Sequence, residues 1–202
     1  MAAIPPVCDF NQDARAFKLK GVDGKMYDFD DVKGSKGTLV MFICNHCPYV
    51  IAVLDRIVRD ANEISKHGVG VVAICSNDAK THPDDSYENM KIFSKKNSFP
   101  FPYLHDEDQS VAKAYDAVCT PDFFGYNADA KLQYRGRLDA SRKEAGPADL
   151  KRDLFDAMVQ VSKTGIGPID QVPSMGCSIK WSLWRQIFHL TVVVIFFKLT
   201  NL

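Results

Sequence analysis

The chain has 202 residues, with 25 Lys plus Arg, 25 Asp plus Glu and no net formal charge. That length supports one domain whose core needs no staples, and the lack of any long basic run excludes a nucleic-acid-binding face. At 46% hydrophobic and 25% charged residues, the composition also excludes intrinsic disorder. In chain order, residues 15–37 alternate short apolar pieces with Gly and Asp, and Asp23-Gly24 between two such pieces predicts a β-hairpin. Residues 38–43 (TLVMFI) are a continuous run of β-formers, the pattern of a strand buried on both faces. Val50, Val53, Leu54, Ile57, Val58, Ala61 and Ile64 then recur at helical spacing, and Lys66-His67-Gly68 marks the end of that helix. Residues 69–76 (VGVVAICS) predict a second buried strand, and strand–helix–strand with short links predicts a parallel pair. Further helices are expected over 84–96, over 108–117 with Val111, Ala114 and Tyr115 inward, and over 149–161. Short strands are expected from Tyr103, over 123–126 and over 132–134. The sum is a three-layer α/β domain with an N-terminal hairpin.

Six cysteines are too few for a disulfide scaffold. The first ten residues hold neither a charged n-region nor an apolar h-region, so no secretory signal is expected and the chain reads as cytoplasmic. Only Cys44 and Cys47 lie close together, in Cys44-Asn45-His46-Cys47, between the buried strand and the long helix. A thiol at a helix start faces unpaired N–H groups and the positive end of the dipole, both of which favour thiolate, the species that attacks disulfides. Two intervening residues let the second sulfur reach the first, so the pair can cycle between dithiol and disulfide. His46, as an imidazolium, would stabilise the thiolate further and make the disulfide more oxidising. A zinc site would need two more ligands from Cys75, Cys119 or Cys177, with no second CxxC to supply them; no metal is expected. No Gly-rich dinucleotide fingerprint occurs, so no organic cofactor is expected either.

Five segments carry a family resemblance: FKLKGVDGK, FICNHCPYV, AICSND, FPFPYLHDEDQSVAKAYDAVCTPDFF and PSMGCSIKW. With these the chain resembles the peroxiredoxin-like branch of the alkyl hydroperoxide reductase/thiol-specific antioxidant superfamily, over residues 8–181. The resemblance implies a thioredoxin fold with a central mixed β-sheet and an antioxidant, redox-active role. It implies Cys44 as the attacking and Cys47 as the resolving cysteine of a thiol–disulfide oxidoreductase. It also matches Thr120-Pro121 to the cis-proline turn that faces the pair, with the Thr120 backbone open to an extended substrate.

A thiol peroxidase using the same pair is the alternative, and a redox-sensing or metal-holding adaptor the non-enzyme one. Peroxiredoxins carry P-x-x-x-T-x-x-C; aligning Cys47 with that cysteine puts Cys44 at the threonine and Val40 at the proline. The family's arginine has Thr120-Pro121 near its place, so slow reaction with peroxide is expected. Thr38 stands where thioredoxins hold a buried acid, so deprotonation of Cys47 needs another base or water. Cys119 is either a small buried residue or a third redox cysteine; Cys75 reads as packing, and Cys8 and Cys177 receive no role. Expected partners are a protein or small-molecule disulfide, hydroperoxides, and a thiol or thioredoxin-reductase-type electron donor. The similarity ends at Trp181, and residues 182–202 form an apolar tail. Its uncharged stretch of 12 residues, 186–197, is short against the roughly 20 that a spanning helix wants. A membrane anchor, an interfacial segment and a tail unrelated to redox function are the readings of that tail.

Overall fold

The computed structural model describes residues 2–5 and 9–182. Cys8 and all but the first residue of the apolar tail lie outside it, so the membrane-anchor reading does too. Among the described residues no helix is long and apolar enough to cross a membrane.

The elements are β1 (Ala2–Ala3), β2 (Lys18–Gly21), β3 (Met26–Asp28), α1 (Phe29–Val32), β4 (Gly37–Phe42), α2 (Pro48–Ile51), α3 (Leu54–Ser65) and β5 (Val69–Cys75). They continue with α4 (Tyr87–Lys96), β6 (Tyr103–His105), α5 (Ser110–Ala114), β7 (Cys119–Thr120), β8 (Asp122–Asn127), β9 (Leu132–Tyr134), α6 (Asp153–Thr164) and β10 (Gly176–Ser178). Strands β3-β2-β6-β5 form one run of neighbours and β4-β8-β9 another. Lys36 N–H donates to Gly68 O at 2.9 Å and Ile43 N–H to Ile74 O at 3.0 Å; both partners advance together, so β4 and β5 run parallel and join the two runs. β5 and β6 are also parallel, whereas β2–β3, β2–β6, β4–β8 and β8–β9 are antiparallel. The sheet is mixed, with its parallel part at the centre.

Alternation along β4 sorts the core. Leu39 and Met41 point into the cluster that holds Val50, Ile57 and Ile64 of α2–α3 and Leu154, Met158 and Val161 of α6. Val40 and Phe42 point the other way, to Val111 and Ala112 of α5 and to Phe17 and Leu19 of the N-terminal segment. One apolar run therefore feeds both faces, which is why it reads as continuous rather than alternating. The result is the three-layer thioredoxin-type α/β arrangement.

Three sequence expectations need adjustment. The 84–96 helix is split: a 3-10 turn, Pro83–Asp85, precedes α4, whose start is set by the Ser86 hydroxyl accepting from Asn89 N at 3.4 Å. The split turns Asp85 inward instead of leaving it in a solvated first turn. The last helix begins at Asp153 rather than at 149: Arg152, just before it, reaches Asp60 at 3.0 Å and Glu63 at 2.8 Å, while residues 139–147 are held by Arg56, which bonds Asp139 at 2.6 Å, Ser141 at 2.9 Å and the carbonyls of Gly146 and Pro147. In the five-residue α5 it is Ala112, not Ala114, that faces inward with Val111 and Tyr115.

The β5 start is packed backbone to backbone. A Cβ on Gly70 would lie 1.9 Å from Val32 O and 2.6 Å from Gly34 N. Gly70→Ala is expected to cost about 1–3 kcal/mol, the range for overpacking. It should appear as a lower denaturant midpoint with an unchanged slope.

Candidate active site

β4 ends at Phe42, and the chain passes Cys44 and Cys47 before α2 begins at Pro48, with Cys47 as the residue capping that helix. Proline is suited to this first helical position because its missing N–H would be unpaired there anyway. Both thiols are covered, Cys44 at 1% and Cys47 at 0% exposure. They meet the Thr120–Pro121 turn, whose peptide bond is cis. Cys44 Sγ lies 3.2 Å from Thr120 Oγ1, and Cys47 Sγ donates to Thr120 O at 3.1 Å. Cys44, Cys47, Thr120 and Pro121 are thus brought together from positions more than 70 apart in sequence. Cys119 is buried beside them, but its thiol turns back to Pro121 O at 3.5 Å, and burial holds that thiol well above the ordinary range. Cys75, fully buried in β5, is pushed up to about 12, chiefly by the same desolvation.

The two site thiols are driven apart. A hydrogen bond from the Cys44 S–H, then bonds from the Cys177 thiol, Thr120 and the Cys177 main chain, pull Cys47 down to about 5 against the cost of its burial. The Thr120 carbonyl favours the protonated thiol, and these donors outweigh it. Cys44 keeps its proton: that same bond to Cys47, its burial and the negative charge of Asp85 all raise it. The resemblance assigns attack to Cys44, whereas these surroundings favour thiolate on Cys47. A thiol lowered well below the ordinary range would be ionised at neutral pH. Alkylation of Cys47 by iodoacetamide, followed by peptide mass analysis, should therefore be flat between about pH 6 and 8 and fall tenfold per unit below about 5. A rate still climbing at pH 8–9 would mark an ordinary thiol.

Asp85 is the functional residue that the sequence does not advertise. It is fully buried, and its carboxylate accepts from Asn45 N at 2.8 Å and from the Asn77 side-chain amide at 2.7 Å. His46 Nδ1 stands 2.8 Å from the same carboxylate without the alignment of a hydrogen bond. The His46 ring is thus directed to Asp85, and it stacks on His82 at 5.5 Å between centroids. Tyr103 OH donates to Asn45 Oδ1 at 3.0 Å, which completes the clamp on the loop between the cysteines. Cys44 Sγ, a His46 ring nitrogen and an Asp85 oxygen lie within 4.8 Å of one another, so a metal bound here would take these three donors. The Asp85 oxygens already serve two N–H donors, which suits an anchor for the loop and a buried base better than a free ligand set.

The C-terminal segment closes the site. In β10, Cys177 pairs with Thr120 in antiparallel register, and β10 pairs in turn with β1. A Cβ on Gly176 would fall 2.1 Å from Thr120 O, so only glycine allows this approach. Lys180 N–H donates to Asn77 Oδ1 at 2.8 Å, and Gln109 Nε2 donates to Ser76 O at 2.7 Å and Lys180 O at 2.8 Å. Asn77 thereby ties both Asp85 and the β10 segment to the end of β5. The Thr120 backbone, expected to be open to a substrate strand, is occupied by the chain's own β10.

A protein from Geobacillus kaustophilus superposes with a TM-score of 0.86 at 45% identity, covering 91% of this chain and 97% of that one. One from Sinorhizobium meliloti 1021 superposes with a TM-score of 0.85 at 38% identity, over 89% and 98% of the two chains. A Coxiella burnetii protein named as a peroxiredoxin, bcp, is 27% identical over 117 residues, 58% of this chain and 72% of that protein. Disulfide oxidoreductases of the thioredoxin fold share the architecture at lower identity. The AhpC/TSA family model matches residues 10–135. With a buried cysteine pair between strand and helix in a thioredoxin fold, and with that match over more than half its length, the chain belongs to the AhpC/TSA family of redox proteins.

Proposed function

We propose that the protein is a two-cysteine thiol peroxidase that cycles through a Cys44–Cys47 disulfide. The observation that carries this reading is the occupied Thr120 edge: β10 already pairs where a polypeptide disulfide substrate would dock, so the pair favours a small oxidant. The family match and the likeness to a peroxiredoxin-named relative point the same way.

In the first step the Cys47 thiolate attacks the distal oxygen of a hydroperoxide. The O–O bond breaks, the alkoxide or hydroxide leaves and is protonated, and Cys47 becomes a sulfenic acid. In the second, Cys44 attacks the Cys47 sulfur, water leaves, and a disulfide forms. Asp85, whose carboxylate lies within 4.8 Å of Cys44 Sγ, is assigned the role of receiving the Cys44 proton. In this reading Cys47 is already ionised, and the base acts on Cys44 instead. Two equivalents of a thiol reductant restore the dithiol.

The test is stopped-flow oxidation of the reduced protein by hydrogen peroxide and by an alkyl hydroperoxide, beside reduction of insulin disulfides. The missing threonine and arginine point to slow reaction with peroxide, but the lowered Cys47 thiol reverses that expectation: saturable or fast second-order oxidation with little insulin reduction is expected. Efficient insulin reduction with negligible peroxide reaction would overturn the peroxidase reading in favour of disulfide exchange.

A further inference from the structure

Cys177 stands 130 residues beyond Cys47 in sequence yet belongs to the same cluster of thiols. Its β10 register sets it opposite Thr120, whose carbonyl receives the Cys47 thiol. Its side chain packs against the core cluster that contains Cys44 and Cys47, close enough for its thiol and main chain to favour the Cys47 thiolate. The three sulfurs differ in access: Cys44 and Cys47 are buried, whereas Cys177 is only partly covered. A disulfide between the two buried sulfurs cannot be approached in line by an external thiolate without opening of the fold, because exchange needs access to a sulfur.

We propose that Cys177 is the thiol through which reducing electrons enter the site, by exchanging onto the buried disulfide and carrying it to the surface. This rests on the Cys44–Cys47 cycle proposed above. The Cys177 sulfur attacks Cys47, forming a Cys47–Cys177 bond, and Cys44 leaves and takes the proton Cys177 gives up. An external thiolate then attacks the partly exposed Cys177 sulfur, which frees Cys47 as its thiolate. A second external thiol attacks the mixed disulfide, releases the oxidised reductant and returns Cys177 as a thiol.

Electrostatics set the timing. In the reduced protein, burial and then contact with Cys47 push Cys177 up to about 11, so it keeps its proton and does not compete as a nucleophile. Once Cys47 is in a disulfide it bears no charge, and that part of the opposition is gone. The nearby Lys180 ammonium favours the Cys177 thiolate in both states.

Two measurements test the relay. In Cys44→Ser, oxidation with diamide, which requires no peroxidase activity, should give an intramolecular Cys47–Cys177 disulfide in non-reducing peptide maps. In the second, the pre-formed Cys44–Cys47 disulfide is reduced with glutathione in the native chain and in Cys177→Ser, with acid quench and thiol labelling. The variant should be slower by about tenfold or more. A purely packing role for Cys177 predicts the opposite sign, since a loosened β10 would expose the disulfide. Absence of the cross-link, or reduction of Cys177→Ser at the native rate or faster, overturns the relay. A cross-link formed by diamide in a protein that peroxide does not oxidise would sink the peroxidase reading and leave the Cys47–Cys177 exchange standing.

Discussion

Cys47→Ser is expected to lower the rate of peroxide consumption by more than about three orders of magnitude, the scale on which loss of a nucleophile acts. Serine at this position is an ordinary alcohol that no surrounding donor can ionise at neutral pH. Cys44→Ser is expected to keep the first oxidation within about tenfold, because its hydroxyl still donates where the Cys44 S–H donates to Cys47. What changes is the product, since Cys44 can no longer resolve the sulfenic acid. In the Cys44→Ser, Cys177→Ser double variant the oxidised state should persist and be trapped by dimedone on Cys47, as read by mass spectrometry. If instead Cys44→Ser removes the fast step and Cys47→Ser preserves it, the roles return to those implied by the family resemblance. The two outcomes exclude each other, because only one thiol of the pair can hold the negative charge.

Gly176→Val should convert the closed site into an open one. Valine would place a Cβ 2.1 Å from Thr120 O and 2.5 Å from the Thr120 carbonyl carbon, both backbone atoms that cannot swing aside. β10 has to lift from Thr120, and the ties through Asn77 and Gln109 then hold only its far end. We expect iodoacetamide labelling of Cys47 to speed up about tenfold, which a loss of ~1.4 kcal/mol in closure gives. Insulin reduction should rise by a similar factor, since the freed Thr120 edge can pair with an extended chain. Far-UV circular dichroism checks that the central sheet, built of other strands, persists. Faster labelling with no change in insulin reduction would show that β10 guards the thiols without blocking a docking edge.

The order of strands and helices, the doubly buried β4 and the strand–CxxC–helix junction were legible because they rest on local periodicity and on neighbours in sequence. The apolar run at 38–43 reads as a strand covered on both sides, and the Leu39/Met41 and Val40/Phe42 alternation bears this out. Helix boundaries were less legible. The start of α4 is a local Ser86 cap, but Asp85 just before it turns to a loop 40 residues away, and Arg152 ahead of α6 is drawn to Asp60 and Glu63 of α3. Those two contacts have no local cause. The cysteine pair could be named from its spacing, but which sulfur holds the charge could not. The mutual bond of the two sulfurs acts first, and beyond it Asp85 beside Cys44 and Cys177 beside Cys47, groups that reach the site only through the 3-10 turn and β10, favour the charge on Cys47. By itself the sequence determined the fold and the presence of a dithiol, since short-range pattern and chain connectivity are enough for both. The tertiary structure alone decided which groups surround each sulfur and that β10 covers the Thr120 edge. Electrostatic and steric effects act through space between residues that the chain keeps far apart.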